Sequence, residues 1–271
     1  MATAVEQKIG FIGCGNMAQG MIEGWLRAGI VKPAQMMASA PSDRNLCKLR
    51  DLGMSTTHDN AEVVRNCSIV VIACKPHQCR DVLPPLPFGP QHLVLTVVAG
   101  LSCPGHEELL PSGTRLVRTL PNVAISVGAG FIGVVRGTQA TDEDMGTVAT
   151  LLKALGEFSV LNDAQLEVVA SSAGAGPAWF AMAMEAFADG AVAMGLPREC
   201  AMRSAAIALV GTGKLYLESG KHPGAIKDSV CSPGGMTIRG VHALEKSGMR
   251  AAFMNAIEAA YMKSKSVADK K

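Results

Sequence analysis

The chain has 271 residues, 48% of them hydrophobic and 18% charged, with a formal net charge of +2. That length suits one large domain or two medium ones at roughly 100–200 residues each, and so small a charge gives no argument for a nucleic-acid or membrane surface. Aromatics are only 4% while Gly (29) and Met (15) are plentiful, a composition that suggests closely packed helices.

Eight cysteines (Cys14, Cys47, Cys67, Cys74, Cys79, Cys103, Cys200 and Cys231) form no C-x-x-C pair and stand at no zinc-finger spacing from a histidine. They read as reduced thiols, with no metal expected. Residues 1–7 carry neither a basic, apolar secretory signal nor an Arg-rich presequence, so a cytoplasmic location is the expectation. The uncharged stretch 168–184 holds glycines, a proline and serines. It falls short of the ~20 apolar residues of a membrane span, and a buried or subunit-facing helix is expected instead.

The first element in chain order is an apolar strand at residues 8–13, followed at once by Gly13-Cys14-Gly15-Asn16-Met17-Ala18 and then by Met21, Ile22, Trp25 and Leu26 at helical spacing. This is G-x-G-x-x-A in a strand–turn–helix context. Gly13 permits the tight turn, Gly15 lets a pyrophosphate approach the backbone, and Ala18 lets helix and strand pack closely. A dinucleotide site is the reading; an ordinary glycine turn is the alternative.

A second strand is expected near 35–39. NAD-binding proteins usually carry a carboxylate at this tip for the ribose 2′-hydroxyl. Here the sequence is Ser39-Ala40-Pro41-Ser42-Asp43-Arg44, hydroxyls and a guanidinium, which favours a 2′-phosphate and hence NADPH, with NADH possible. Asp43 serves the ribose only if the strand runs longer; Ser42 doubles as a helix cap. Buried parallel strands follow at 68–74 and 92–100, with another at 115–122 and a later one at 130–135. A helix over 142–155 opens at Thr141, and a short strand spans 157–161. Because ligands of doubly wound sheets sit beyond the carboxyl ends of the strands, Ala73, Cys74, Lys75 and Pro76 are expected to line the cofactor. Lys75 as a covalent catalyst and His77 as a catalyst rather than a polar loop residue are the less favoured readings of that loop.

Beyond residue 162 β-branched runs give way to Ala-rich helical periodicity. Helices are expected over 166–172, 176–194, 199–217 and 238–261, with breaks at Gly195-Leu196-Pro197 and over 219–224 and a polar, frayed tail at 264–271. The fold expected is α/β: a Rossmann-like doubly wound domain over 1–162, then an all-α domain over 163–271. Between two of these helices lies Lys227-Asp228-Ser229-Val230-Cys231-Ser232-Pro233-Gly234-Gly235-Met236-Thr237. A Ser-Pro-Gly-Gly turn opening a helix is either an anion cradle or a capped interhelix turn.

Several of these segments together resemble the pyrroline-5-carboxylate reductases: Val230-Cys231-Ser232-Pro233-Gly234-Gly235-Met236-Thr237, the loop from Gly10 to Met17, Ala73-Cys74-Lys75-Pro76, Gly174-Ala175-Gly176-Pro177-Ala178 and Met194-Gly195-Leu196-Pro197. The resemblance spans nearly the whole chain and is strongest toward the animal enzymes, in particular the cytosolic form. It implies NAD(P)H-dependent reduction of Δ1-pyrroline-5-carboxylate to proline, and a helical domain that dimerises within a homo-oligomer, a decamer built of dimers. It further implies that Ser232, Gly234 and Gly235 hold the substrate carboxylate and that Thr237 faces the ring nitrogen and is catalytic. Gly13, Gly15, Asn16, Met17, Ser39, Asn60, Ala73, Lys75, Pro76 and Ala99 would contact the cofactor. Cys231, Ser229, Ala175 and Trp179 depart from residues common in the family.

A 3-hydroxyacid-type dehydrogenase would need a lysine on the early interdomain helix, and residues 178–194 offer only Glu185 and Asp189 as charges. A nucleotide-sensing regulator would have no use for a second anion cradle.

Overall fold

The computed structural model describes residues 5–268. The chain divides into two compact units, one of residues 1–175 together with 260–271, the other of residues 176–259. In order the elements are β1 (Ile9–Ile12), α1 (Asn16–Ala28), β2 (Met36–Ser39), α2 (Asp43–Asp51), β3 (Ser55–Thr57), α3 (Asn60–Asn66), β4 (Ile69–Ile72), α4 (Cys79–Val82), β5 (Leu93–Thr96), α5 (Cys103–Glu107), β6 (Arg115–Leu120), β7 (Gly130–Arg136), α6 (Asp142–Lys153), β8 (Gly156–Val160) and α7 (Asp163–Val169). There follow α8 (Gly176–Ala193), α9 (Arg198–Ser219), α10 (Pro223–Ser229), α11 (Met236–Lys246) and α12 (Met249–Ala268).

The first unit is a sheet of order β3-β2-β1-β4-β5-β6-β7-β8, parallel except where β7 runs antiparallel to β6. Its first six strands follow the 3-2-1-4-5-6 order of the doubly wound dinucleotide-binding fold. Successive side chains of β4 and β5 pack on opposite faces, as the period of two requires. Ile69, Val71, Leu93 and Leu95 join the core under α1 and α6, while Val70, Ile72 and Val94 join the second core with Leu83 and Leu116. Burial on both faces is why these strands read as continuous apolar runs. Helix α1 stops where Gly29 adopts φ +67 and returns its N–H to Leu26 and Trp25 carbonyls. Trp25 is fully buried, and its indole N–H bonds the Leu151 carbonyl of α6 at 2.9 Å. Thr141 caps α6 through the Asp144 N–H, as its position before Asp142 implied.

In the second unit α8 and α9 pack through small residues, Ala188, Ala201 and Ala205, the only hydrophobic side chains buried there. Gly195 at φ +99 turns the chain between them, and Gly220 at φ +62 ends α9. Among the described residues no helix is long and apolar enough to cross a membrane.

Several local expectations are corrected. The span 238–261 is two helices, because Gly248 at φ +74 breaks it between α11 and α12. Pro223, read as part of a break, instead occupies the first position of α10, where its missing N–H costs nothing and His222 caps the helix. Residues 264–268 belong to α12, with the Ser264 hydroxyl donating to Glu167 at 3.0 Å, so the tail is not frayed there; the rest of it lies outside the described residues. Strand β5 ends at Thr96 rather than 100, and β3 was not foreseen: three polar residues at a sheet edge carry no apolar pattern.

Candidate functional site

Gly13 stands at the end of β1 with φ +96, and a Cβ there would lie 2.7 Å from the Ala73 carbonyl oxygen, so the close approach of β1 to β4 requires glycine. Gly15 differs: its backbone is extended, and a Cβ on it would meet nothing within 4 Å. It caps α1 with no side chain over the helix end and no acidic residue in the first turn, leaving N–H groups exposed beside open space. That is what a pyrophosphate needs.

The open space continues as a cavity of about 460 Å³ along the carboxyl ends of β1, β2 and β4. It brings together Gly13, Gly15, Ser39, Asn60, Ala73 and Lys75 from the sequence-derived set. The Ser39 hydroxyl donates to Asn60 Oδ1 at 2.6 Å, which leaves the Asn60 amide N–H groups to offer to a ligand. Lys75 is exposed at the cavity wall, and its backbone N–H is held by Gln78 Oε1 at 3.1 Å. Asn16, Met17, Pro76 and Ala99 are not part of this lining. Asn16 and Met17 form the first turn of α1, Pro76 follows Lys75, and Ala99 is exposed in the turn after β5.

Sequence reasoning missed Asn45, His58 and Gln78, which also line the cavity. Asn45 is in the first turn of α2, and its amide donates to the Cys14 carbonyl at 2.9 Å, bracing the glycine loop. No motif spacing announces such a residue. Arg44, weighed as the guanidinium for a 2′-phosphate, is exposed on α2 and does not line the cavity. Asp43 does not line it either, since its carboxylate is taken by Arg50. Cys14 is buried against the Ser39 carbonyl at 3.3 Å, and burial pushes its thiol up to about 12, so it is a packing residue. The residues present thus fit a dinucleotide, with room for the pyrophosphate at Gly15 and no carboxylate lining the cavity.

The second feature lies in the helical unit. Pro233 and Gly234, the latter at φ +70, form a turn closed by the Gly235 N–H to the Ser232 carbonyl at 3.0 Å. Pro at the second position and a positive-φ Gly at the third are what a type II turn demands. A Cβ on Gly235 would collide with the Ser232 hydroxyl oxygen, so this glycine lets that hydroxyl lie over the mouth of α11. Gly235 caps α11 without a side chain, and the first helical bond runs from the Arg239 N–H to Gly235. The N–H groups of Met236, Thr237 and Ile238 therefore precede the ladder, with the Thr237 side chain exposed beside them.

A family model described as "NADP oxidoreductase coenzyme F420-dependent" matches residues 8–100, and one described as "Pyrroline-5-carboxylate reductase dimerisation" matches residues 163–267. Fold, glycine loop and these matches define an NAD(P)-dependent oxidoreductase with a Rossmann-like sheet and a helical dimerisation domain. The chain is 40% identical to pyrroline-5-carboxylate reductase 3 of Rattus norvegicus over 266 residues, 97% of each chain. A crystal structure of Plasmodium falciparum pyrroline carboxylate reductase with NADP bound superposes with a TM-score of 0.88 at 27% identity, covering 98% of this chain and 99% of that one. The Coxiella burnetii pyrroline-5-carboxylate reductase superposes equally well, TM-score 0.88 at 29% identity, over 97% of this chain and 99% of the other. The chain belongs to the pyrroline-5-carboxylate reductase family.

Proposed function

We infer that the chain reduces Δ1-pyrroline-5-carboxylate to L-proline, the last step of proline biosynthesis, with NADPH as the preferred donor and NADH as the alternative. The observation that carries this reading is the Ser232–Gly235 turn opening α11, an anion cradle in a chain that also holds a dinucleotide pocket. Ser232, Gly234 and Gly235 receive the substrate carboxylate through the hydroxyl and the unladdered N–H groups. Thr237, one residue into α11, faces the ring nitrogen. Its hydroxyl both donates and accepts, so it can hold the imine and pass a proton through water. No buried acid is invoked, because the imine enters protonated or exchanges its proton with water at that hydroxyl.

Gly13, Gly15, Asn16 and Met17 receive the pyrophosphate on the N-terminus of α1, Ser39 and Asn60 hold the ribose side, and Ala73, Lys75, Pro76 and Ala99 line the rest of the cofactor. When bound, the cofactor supplies the hydride. The protein contributes position: fixing two reactants replaces a bimolecular encounter, worth up to ~7–11 kcal/mol in ideal systems.

The division of labour falls at residues 1–162 for the cofactor and 163–271 for substrate and assembly. A homodimer, within a larger oligomer such as a decamer of dimers, is the working state. Eighteen of the large exposed hydrophobic side chains lie in residues 176–259, among them Met182, Ile207, Val210 and Leu217, against three buried alanines in that unit. Apolar surface on that scale marks a protein interface.

The test is NADPH and NADH oxidation by the purified protein, followed by absorbance, with and without pyrroline-5-carboxylate. Oxidation that depends on the imine and yields proline is the expected result. Tight NADPH binding with no imine-dependent oxidation would overturn it.

A further inference from the structure

The tip of β2 offers one carboxylate, Asp43, and the structure turns it away from the pocket. Its Oδ1 is paired with the Arg50 guanidinium two turns further along the same face of α2, and Asp43 is absent from the cavity lining. In its place the lining holds His58 and Ser42. The His58 ring is fixed: Nδ1 lies 2.8 Å from the Ala40 carbonyl, which only accepts, so Nδ1 carries the proton. The other ring nitrogen, Nε2, makes no hydrogen bond among the described residues and lies 3.7 Å from Asp43 Oδ1, on a side chain that is more than half exposed.

We propose that His58 is a specificity-determining residue of this enzyme and receives the 2′-phosphate of NADPH. This rests on the reading of the chain as an NADPH-dependent reductase. A phosphate oxygen accepts, so Nε2 must carry a proton when the phosphate is bound. The imidazolium then donates to the Ala40 carbonyl from Nδ1 and to the phosphate from Nε2, a charge-assisted pair. NADH has a hydroxyl at that position and gains no such contact. Ser42 adds a neutral donor.

The charged groups around the ring agree with this role. Asp43, in contact with Nε2, has its charge shared with Arg50. On α3 and its cap, Asp59 pairs with Arg65 at 3.7 Å and Glu62 accepts from the Thr57 hydroxyl at 2.5 Å. None of these carboxylates lines the cavity, whose lining also holds the cationic Lys75.

The experiment is calorimetric titration of the full chain with 2′,5′-ADP and with 5′-AMP, fragments that carry and lack the 2′-phosphate. Each is run in two buffers of different ionisation enthalpy, on the wild type and on His58→Asn. Asparagine keeps an N–H where Nδ1 stands and removes Nε2. In the wild type 2′,5′-ADP should bind about tenfold or more tighter than 5′-AMP, as a hydrogen bond to a charged group warrants. It should also take up as much as one proton, seen as a buffer-dependent heat. In His58→Asn the ratio between the fragments should collapse toward one, and the proton uptake should vanish.

A ratio and proton uptake retained in His58→Asn would overturn the proposal, as would both fragments weakening in proportion, which marks a merely structural histidine. The rate with pyrroline-5-carboxylate separates the two readings. Turnover without a His58 effect on the fragments keeps the function and sinks this proposal. Fragment discrimination through His58 without turnover keeps the site and sinks the function.

Discussion

Arg118 is wholly buried on β6 and donates from Nη1 to Asp163 Oδ1 at 2.6 Å, while its Nη2 reaches Glu167 Oε1 at 2.5 Å. Asp163 also accepts the Cys103 N–H at 3.1 Å, and Glu167 accepts the Ser264 hydroxyl at 3.0 Å. One guanidinium thus ties the sheet to α5, to α7 and to the last turns of α12. Its Nε is the only buried side-chain polar atom among the described residues without a partner. Removing one member of a buried pair strands the others. Arg118→Leu should therefore lower unfolding stability by roughly 2–4 kcal/mol, less than a fully buried pair would give because both carboxylates are partly solvated. Urea denaturation of the two proteins measures it; a loss under ~0.5 kcal/mol would mean the network is marginal.

Two glycines of the same loop should fail in different ways. Gly13→Ala forces a positive φ and a collision with the backbone of Ala73, so it should destabilise the fold as well as abolish NADPH binding. Gly15→Ala meets no protein atom and keeps an extended backbone, so its melting temperature should barely move. The added methyl takes the place of the pyrophosphate, and NADPH affinity should fall by about tenfold or more, on the order of 1.4 kcal/mol. Fluorescence titration beside thermal melts separates the two. Equal melting losses would show that Gly15 is there for packing.

Thr237→Ala should lower turnover by about tenfold to a hundredfold if the hydroxyl takes part in proton exchange at the imine. NADPH binding should stay nearly intact, since the cofactor loop lies elsewhere in the chain. Thr237→Ser keeps the hydroxyl and should recover most of the rate. Steady-state kinetics with both variants decide it, and full activity in the alanine variant would remove Thr237 from the mechanism.

His106 supplies a pH dependence of stability. It is fully buried, its Nε2 faces the Thr96 hydroxyl at 2.8 Å, and its Nδ1 lies 2.9 Å from the Ser102 carbonyl. Burial, the largest influence, pushes its pKa down to about 4. In the unfolded chain an ordinary histidine titrates near 6.5. Between these values the unfolded chain binds the proton and the folded one does not, so stability falls as the pH drops from about 6.5 toward 4 and is whole above that window. At pH 5 the loss from this residue should be about 2 kcal/mol, as an order of magnitude. Urea denaturation at pH 7 and pH 5 measures it, with His106→Gln as control. A variant with the wild-type slope would assign the effect to other groups.

Much of this architecture was legible because its signals are local. The glycine loop stands between an apolar strand and a helical pattern, and its φ +96 at Gly13 follows from residue type and place. The Ser-Pro-Gly-Gly turn is equally local, since Pro233 and Gly234 dictate its geometry. Three things were not readable. His58 reaches the pocket only because β3 adds a strand beside β2, and β3 has no apolar pattern to reveal it. Asp43 looked available to a ribose because nothing in the sequence says that Arg50, seven residues on, will hold it. The break at Gly248 was hidden by helical periodicity on both sides, which continues through a single glycine.

The exposed apolar face of the second unit makes the last prediction. Helix α9 runs 22 residues, yet only Ala201 and Ala205 are buried, while Ile207 is 65% and Val210 55% exposed. A monomer would leave this surface in water at roughly 25 cal/mol per Å², a strong drive toward association. The protein should therefore sediment as a dimer or larger at micromolar concentration. Placing a carboxylate in a desolvated interface costs several kcal/mol, so Ile207→Asp combined with Val210→Asp should raise the dissociation constant by at least about a hundredfold. Because both positions face solvent in the isolated unit, the variant should keep its helical circular dichroism. Analytical ultracentrifugation across a dilution series reads the outcome. A wild type that is monomeric at every concentration would mean that this apolar surface meets something other than a second copy of the chain.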